Sequence, residues 1–238
     1  FTAGAFLAYR SMEFIRDDVC FQNLNVKIIG MGSGLSWSSL GPTHHTTEDI
    51  SVFRAIPNLM ILSPATPRQV AACVQTAYEY DGPVYIKIGM NHEKEYFKDG
   101  YVHDVKKSDC LRDGKNIAVF VTGSILDEAM KACEMLEQNG ISVKLINVTT
   151  IKPFNENEVL DIVKQIQKIA VIEEHNIYGG LASIISETIA YNGLNARVIP
   201  IGLNDTFAGG YGTHAMVRKV NQLDSISIYQ RLKEACKE

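Results

Sequence analysis

The residues best equipped for chemistry form one run, Gly41-Pro42-Thr43-His44-His45-Thr46-Thr47-Glu48-Asp49, followed by Arg54-Ala55-Ile56-Pro57-Asn58. A Gly-Pro turn delivers two imidazoles, two carboxylates and threonine hydroxyls in quick succession. Histidine can both hydrogen-bond a substrate and move its protons, because its unperturbed pKa lies near neutrality. Ahead of the run lie a strand-like apolar segment over 25–29 and a Gly/Ser-rich segment over 30–39. A titratable cluster on the loop leaving a buried strand is where open α/β sheets place their ligands. By residue type alone, His44 could also cap the following helix. Glu48 and Asp49 read as carboxylates at a helix start and as interface contacts, not as acids or bases.

Other motifs carry less. Gly30-x-Gly32-x-Gly34 lacks the third-glycine spacing and the downstream acid of a dinucleotide loop. Glu173-Glu174-His175 resembles a metal triplet on paper, yet consecutive strand side chains point to opposite faces, so a structural or interface role fits better. Lys152, before Pro153, has no assigned chemistry. Five scattered cysteines, Cys20, Cys73, Cys110, Cys133 and Cys236, form no Cys-x-x-Cys pair, which disfavours a zinc site or a disulfide framework and suits a reducing cytoplasm.

The elements that must position these residues follow from periodicity. The pattern predicts a helix over 5–18, strands over 25–30, 59–62 and 84–88, a short helix over 48–56, and a helix from Pro67 to about residue 80 capped by Thr66. Strands separated by helices demand parallel pairing. Residues 92–115 lose the period and read as a linker with room for a hairpin. A second unit then alternates strands over 117–121, 143–146, 169–172 and 197–201 with helices. Ser124 is expected to cap the first of these, Asn155-Glu156-Asn157-Glu158 to form a capping box for the second, and Asn139-Gly140 and Asn192-Gly193 to end helices. Final helices are expected near 213–223 and 227–236. The length of 238 residues and a hydrophobic content of 46% suit two α/β domains. The expected boundaries are 1–100 and 116–238, with 101–115 as the linker. A net charge of −4 without a basic block argues against nucleic-acid binding, and the sequence shows no membrane-spanning run or signal peptide. The first residue is Phe, so the sequence is expected to be part of something longer.

The loop resembles G-x-T-H-x-x-x-E-D followed by R-x-x-P-N, the pattern of the pyrimidine-binding domain of the transketolase family. Phe6-Leu7-x-x-Arg10 with Ile15-Arg16, Ile151-Lys152-Pro153-Phe154, and Glu173-Glu174-His175-x-x-x-Gly179-Gly180-Leu181 resemble further stretches of that family in the same order. Asn155 and Ala182 stand where the family usually has Asp and Gly. The resemblance implies an incomplete thiamine-diphosphate pyrimidine-binding domain followed by a transketolase C-terminal domain, both parallel-sheet α/β folds. It implies an enzyme that moves a two-carbon ketol unit from a ketose to an aldehyde acceptor. Phe6 would stack on the aminopyrimidine, Tyr9 would line the pocket wall, and His44 would bind donor hydroxyls and shuttle protons. His45, where the family usually has Gln, receives no role.

The family's pyrimidine-protonating glutamate lies upstream of Phe6, and its G-D-G…N diphosphate motif is absent from 1–238. The resemblance therefore implies a partner subunit or segment that holds the diphosphate and its Mg or Ca, with no metal ligand in this chain. The assembly expected is a cytoplasmic heterotetramer, built around a homodimer of this chain. Met90 stands where the family has a phosphate-binding Arg, Gly32 where it has His, and Leu40 where it has Asp. These losses predict that the usual pentose phosphates are not the substrates unless another cation, Lys87 being the nearest, takes over. Related alternatives are a 1-deoxy-xylulose-phosphate-synthase-like enzyme, a protein like the beta chain of a 2-oxo acid dehydrogenase, and a non-catalytic assembly partner.

Overall fold

The computed structural model describes residues 1–237. Its first half runs β1 (Thr2–Ala3), α1 (Gly4–Arg10), α2 (Met12–Phe14), a π-helical turn (Ile15–Cys20), β2 (Lys27–Met31), α3 (Asp49–Arg54), β3 (Met60–Leu62), α4 (Pro67–Glu79) and β4 (Val84–Ile88). The helix expected over 5–18 is thus broken at Ser11 and finishes as a wider turn. Thr66 caps α4 as expected, its hydroxyl accepting from Gln69 N, with Pro67 in the first turn where its missing N–H costs nothing. The buried stripe of α4 is Gln69, Cys73 and Ala77, while Val74 and Tyr78 turn to solvent.

The second half runs β5 (Asp109–Arg112), β6 (Ile117–Thr122), a 3₁₀ turn (Gly123–Ile125), α5 (Leu126–Gln138), β7 (Val143–Asn147), β8 (Thr150–Lys152), α6 (Glu156–Val163), β9 (Lys168–Asn176), α7 (Leu181–Tyr191), β10 (Arg197–Leu203), α8 (His214–Val220) and α9 (Ser225–Lys237). Two expected caps are not made. Ser124 lies in the 3₁₀ turn and gives its hydroxyl to Glu174, and Asn155 donates to Lys106 O while Glu158 accepts from Ser108 N. Both side chains find long-range partners that outcompete the local ones.

The two sheets have strand orders β1-β2-β4-β3-β8 and β10-β9-β6-β7-β5. All pairings are parallel except those of β8 with β3 and β5 with β7. Asp109–Arg112, inside the expected linker, is therefore an edge strand of the second sheet. Thr150–Lys152, from the expected second domain, extends the first. The intervening segment is pinned as well: Arg68 binds Phe97 O and Asp99, and buried His103 bridges Thr76 and Thr150. One apolar core runs through both units, joining Ile50, Phe53 and Ile61 of the first to Ile169, Leu181 and Ile185 of the second.

Candidate active site

The site residues meet because β1 and β2 are parallel neighbours, with Thr2 opposite Gly30 and Ala3 opposite Met31. At that carboxyl edge β1 turns at once into α1, which carries Phe6, and β2 releases the loop that leads to His44. The Phe6 and His44 rings lie 5.1 Å apart, edge to face, and both are half-buried. Nδ1 of His44 is 2.9 Å from Thr43 Oγ1. His44 does not cap the following helix, whose flanking residue is Glu48. The guanidinium of Arg10 covers the Phe6 ring 4.3 Å from its centroid. Arg10 thus occupies that face of the ring in a cation–π contact.

Tyr9, half-exposed on the same helix, donates to Glu48 Oε2 and accepts from Glu48 N. Burial, and then the adjacent carboxylate, push its phenol well above the ordinary value, so it stays a proton donor. Trp37, the sole tryptophan of the sequence, is the wall residue that motif reading missed. Its ring lies 6.4 Å from His44 and rests on Gly32, where a Cβ would run into the indole. Gly32 also has φ +80, a left-handed conformation that favours glycine. Its being the only tryptophan, on a Gly/Ser loop, was the signal available.

His45 points the other way. It is 2% exposed, and both ring nitrogens lie buried without a partner. Burial lowers its pKa, keeping it neutral. Asp49 is also buried and ion-paired with Lys87, while Tyr85 donates to its second oxygen at 2.7 Å. This corrects the expectation for Lys87. Its ammonium is 3% exposed as a residue and committed to Asp49 and Thr46 O, so it cannot reach a substrate phosphate. Met90 remains at the surface.

Glu173, Glu174 and His175 diverge, as strand geometry requires. Glu173 accepts from Leu181 N and Ala182 N at the start of α7. Glu174 meets His214 and Arg218, and His175 Nδ1 lies 2.6 Å from Asn176 O. Among the described residues no three His, Cys, Asp or Glu side chains are grouped to hold a metal. Lys152 spends its ammonium on Arg54 O and Ile56 O. Also among them, no helix is long and apolar enough to cross a membrane.

Two sheets of mainly parallel strands covered by helices place the protein in the α/β class, and the comparisons specify it further. Residues 1–91 match the family "Transketolase, pyrimidine binding domain" and residues 106–225 match "Transketolase, C-terminal domain". The chain belongs to the transketolase family and corresponds to its C-terminal section. It is 35% identical over 229 residues to one of the subunits of the apulose-4-phosphate transketolase of Actinobacillus succinogenes, covering 95% of this chain and 73% of that protein. It is 32% identical over 224 residues to the 1-deoxy-D-xylulose-5-phosphate synthase of Halothermothrix orenii, covering 93% of this chain but 35% of that one. Among solved structures, a split gene transketolase described as an inactive beta4 tetramer superposes with a TM-score of 0.90 at 28% identity, over 99% of this chain and 75% of that one.

Proposed function

We propose that this chain is the pyrimidine-binding and C-terminal portion of a two-part, thiamine-diphosphate-dependent transketolase that passes a ketol unit from a ketose to an aldehyde. The observation that carries the reading is the Phe6–His44 pair, two half-buried rings 5.1 Å apart at the carboxyl ends of adjacent strands. Thiamine diphosphate, when bound, supplies the electron sink for breaking the carbon–carbon bond beside a carbonyl. Phe6 offers the aminopyrimidine the ring face that Arg10 does not cover, and Tyr9 closes the wall beside it. His44 binds donor hydroxyls and carries their protons, a role suited to an imidazole within reach of solvent. Trp37 and the loop beneath it exclude water on the far side.

The diphosphate and its Mg or Ca belong to a partner subunit or segment, for which the apulose-4-phosphate relative, itself one subunit of its enzyme, is a precedent. With Lys87 sealed and Met90, Gly32 and Leu40 offering no charge, usual pentose phosphates are poor substrates in this reading. Turnover of xylulose 5-phosphate by the complete enzyme at ordinary efficiency would contradict that part. The synthase relative supports a second reading, a 1-deoxy-xylulose-phosphate-synthase-like activity; formation of 1-deoxyxylulose 5-phosphate without ketol transfer from a ketose would select it. The test of the main reading is a thiamine diphosphate titration after co-expression with the diphosphate-binding partner. The complex is expected to bind the cofactor, and a complete complex that does not bind it overturns the assignment.

A further inference from the structure

The second domain grips the loop that bears the site. Residues 32–41 belong to the first domain, carry Trp37 and lead to His44, and three of their hydrogen bonds reach into the second domain. Leu35 N donates to Glu174 Oε2 at 3.2 Å. Ser38 Oγ donates to Gly212 O at 2.8 Å, and Gly212 N returns a bond to Ser38 O at 3.3 Å. Asn91 Nδ2 lies 3.3 Å from Ser36 O and 3.0 Å from His214 Nδ1. Tyr211 packs on Gly41, where a Cβ would strike its ring. Finally, Gly34 and Thr46 exchange backbone hydrogen bonds of 3.2 and 2.9 Å, which ties the loop to the residue two past His44.

Glu174 is the centre of this grip. Its Oε1 accepts from Arg218 Nε at 2.7 Å and, with His214 carrying its proton on Nε2, from that ring at 2.8 Å; its Oε2 accepts from Leu35 N and Ser124 Oγ, each at 3.2 Å. Arg218 Nη2 also donates to Ser124 O at 3.0 Å, locking the guanidinium. Gly34, at φ +58, makes the insertion possible, since a Cβ there would run into the carboxylate. A buried charge is tolerated where its lone pairs are filled, and charge-assisted bonds in fixed directions leave it little freedom. Because three of its four donors come from the second domain and the fourth from the loop, the carboxylate transmits the position of one to the other.

We propose that Glu174 is a positioning residue for the active site, setting from the second domain the place of the 32–41 loop and thereby of Trp37 beside His44. The proposal rests on the Phe6–His44 reading for its functional meaning. Its test uses no catalysis, so either can fail without the other.

Trp37 is the only tryptophan, so the fluorescence of the purified chain reports the loop directly. Glu174→Gln keeps the side-chain volume and removes the charge. Gly34→Ala keeps every charge and pushes the loop from the opposite side. Both are expected to raise the acrylamide quenching constant of Trp37 by about twofold or more, because a loop released from its partners opens locally. Ile189→Ala, in the apolar cluster that holds no residue of 32–41, removes buried packing and is expected to leave the constant unchanged where circular dichroism shows all chains folded. Should Glu174→Gln not fold, Arg218→Lys, which keeps the charge but gives up the donors fixed on Glu174 and Ser124, takes its place and is expected to raise the constant likewise. Wild-type quenching in the folded variants, or an equal rise in Ile189→Ala, overturns the proposal.

Discussion

Each sheet ends, at the carboxyl edge of an interior strand, in a group of acids and histidines, and the fold treats the two groups in opposite ways. Beyond the ends of β1 and β2, Phe6, Tyr9, His44 and Glu48 stay partly open. At the end of β9, Glu173, Glu174 and His175 are 1%, 4% and 1% exposed, and both carboxylates are occupied by donors of the chain itself. Ionisable residues thus gather at both strand ends, where backbone and helix-start dipoles accept them, but only the first group has capacity left for a ligand. The same division separates adjacent residues: His44 lies half-buried beside Phe6 and Trp37, and His45 is sealed.

If that contrast is right, the largest effect belongs to the open group. His44→Ala in the complete enzyme is expected to lower kcat/KM by roughly 10²–10⁴ while leaving cofactor affinity nearly unchanged, as steady-state kinetics beside a binding titration can show. Sealed groups should act on stability. Lys87→Met leaves Asp49 charged and uncompensated, and urea unfolding should report a loss of about 3–5 kcal/mol. A Lys87→Met chain of wild-type stability would mean that Asp49 is not the buried partner its geometry indicates.

The smallest expected effect is a pH dependence. The pKa of His45 is lowered in the folded chain, chiefly by burial, against the charges of Glu174 and Glu48 and together with those of His214 and His44. Its stabilising contribution is therefore complete above the unfolded value near 6.5 and is lost as pH falls below it. Replacing it with Gln should flatten the stability profile between pH 7 and 5 by up to about 1.4 kcal/mol per pH unit. Glu174 behaves alike at lower pH: burial would raise its pKa, but Arg218 and His214 hold it well below the usual range. Its contribution is present above about pH 4.3 and fades as pH drops further. Identical slopes for wild type and His45→Gln would place His45 in contact with water.

Much of this was legible in the sequence. The βα alternation, the Thr66 cap, the glycine stops and the neighbouring positions of Phe6 and His44 all follow from local patterns or collinear motifs. What escaped is non-local. Nothing local marks Asp109–Arg112 or Thr150–Lys152 as antiparallel edge strands, because their pairing depends on chain returning from far away. Lys87 looked available because it is the cation nearest Met90 in the sequence, and only Asp49, 38 residues earlier, reveals that it is spent. The Glu174 contacts with Leu35 and Arg218 span 139 and 44 residues, beyond any spacing rule.

The most direct measurement of the central claim is the affinity of thiamine diphosphate for the complete complex, compared by calorimetry between wild type and Phe6→Ala. Loss of an aromatic stacking face worth about 1.5 kcal/mol should weaken binding roughly tenfold or more, with the assembly intact by sedimentation. Equal affinity in the two complexes would contradict the placement of the cofactor against Phe6.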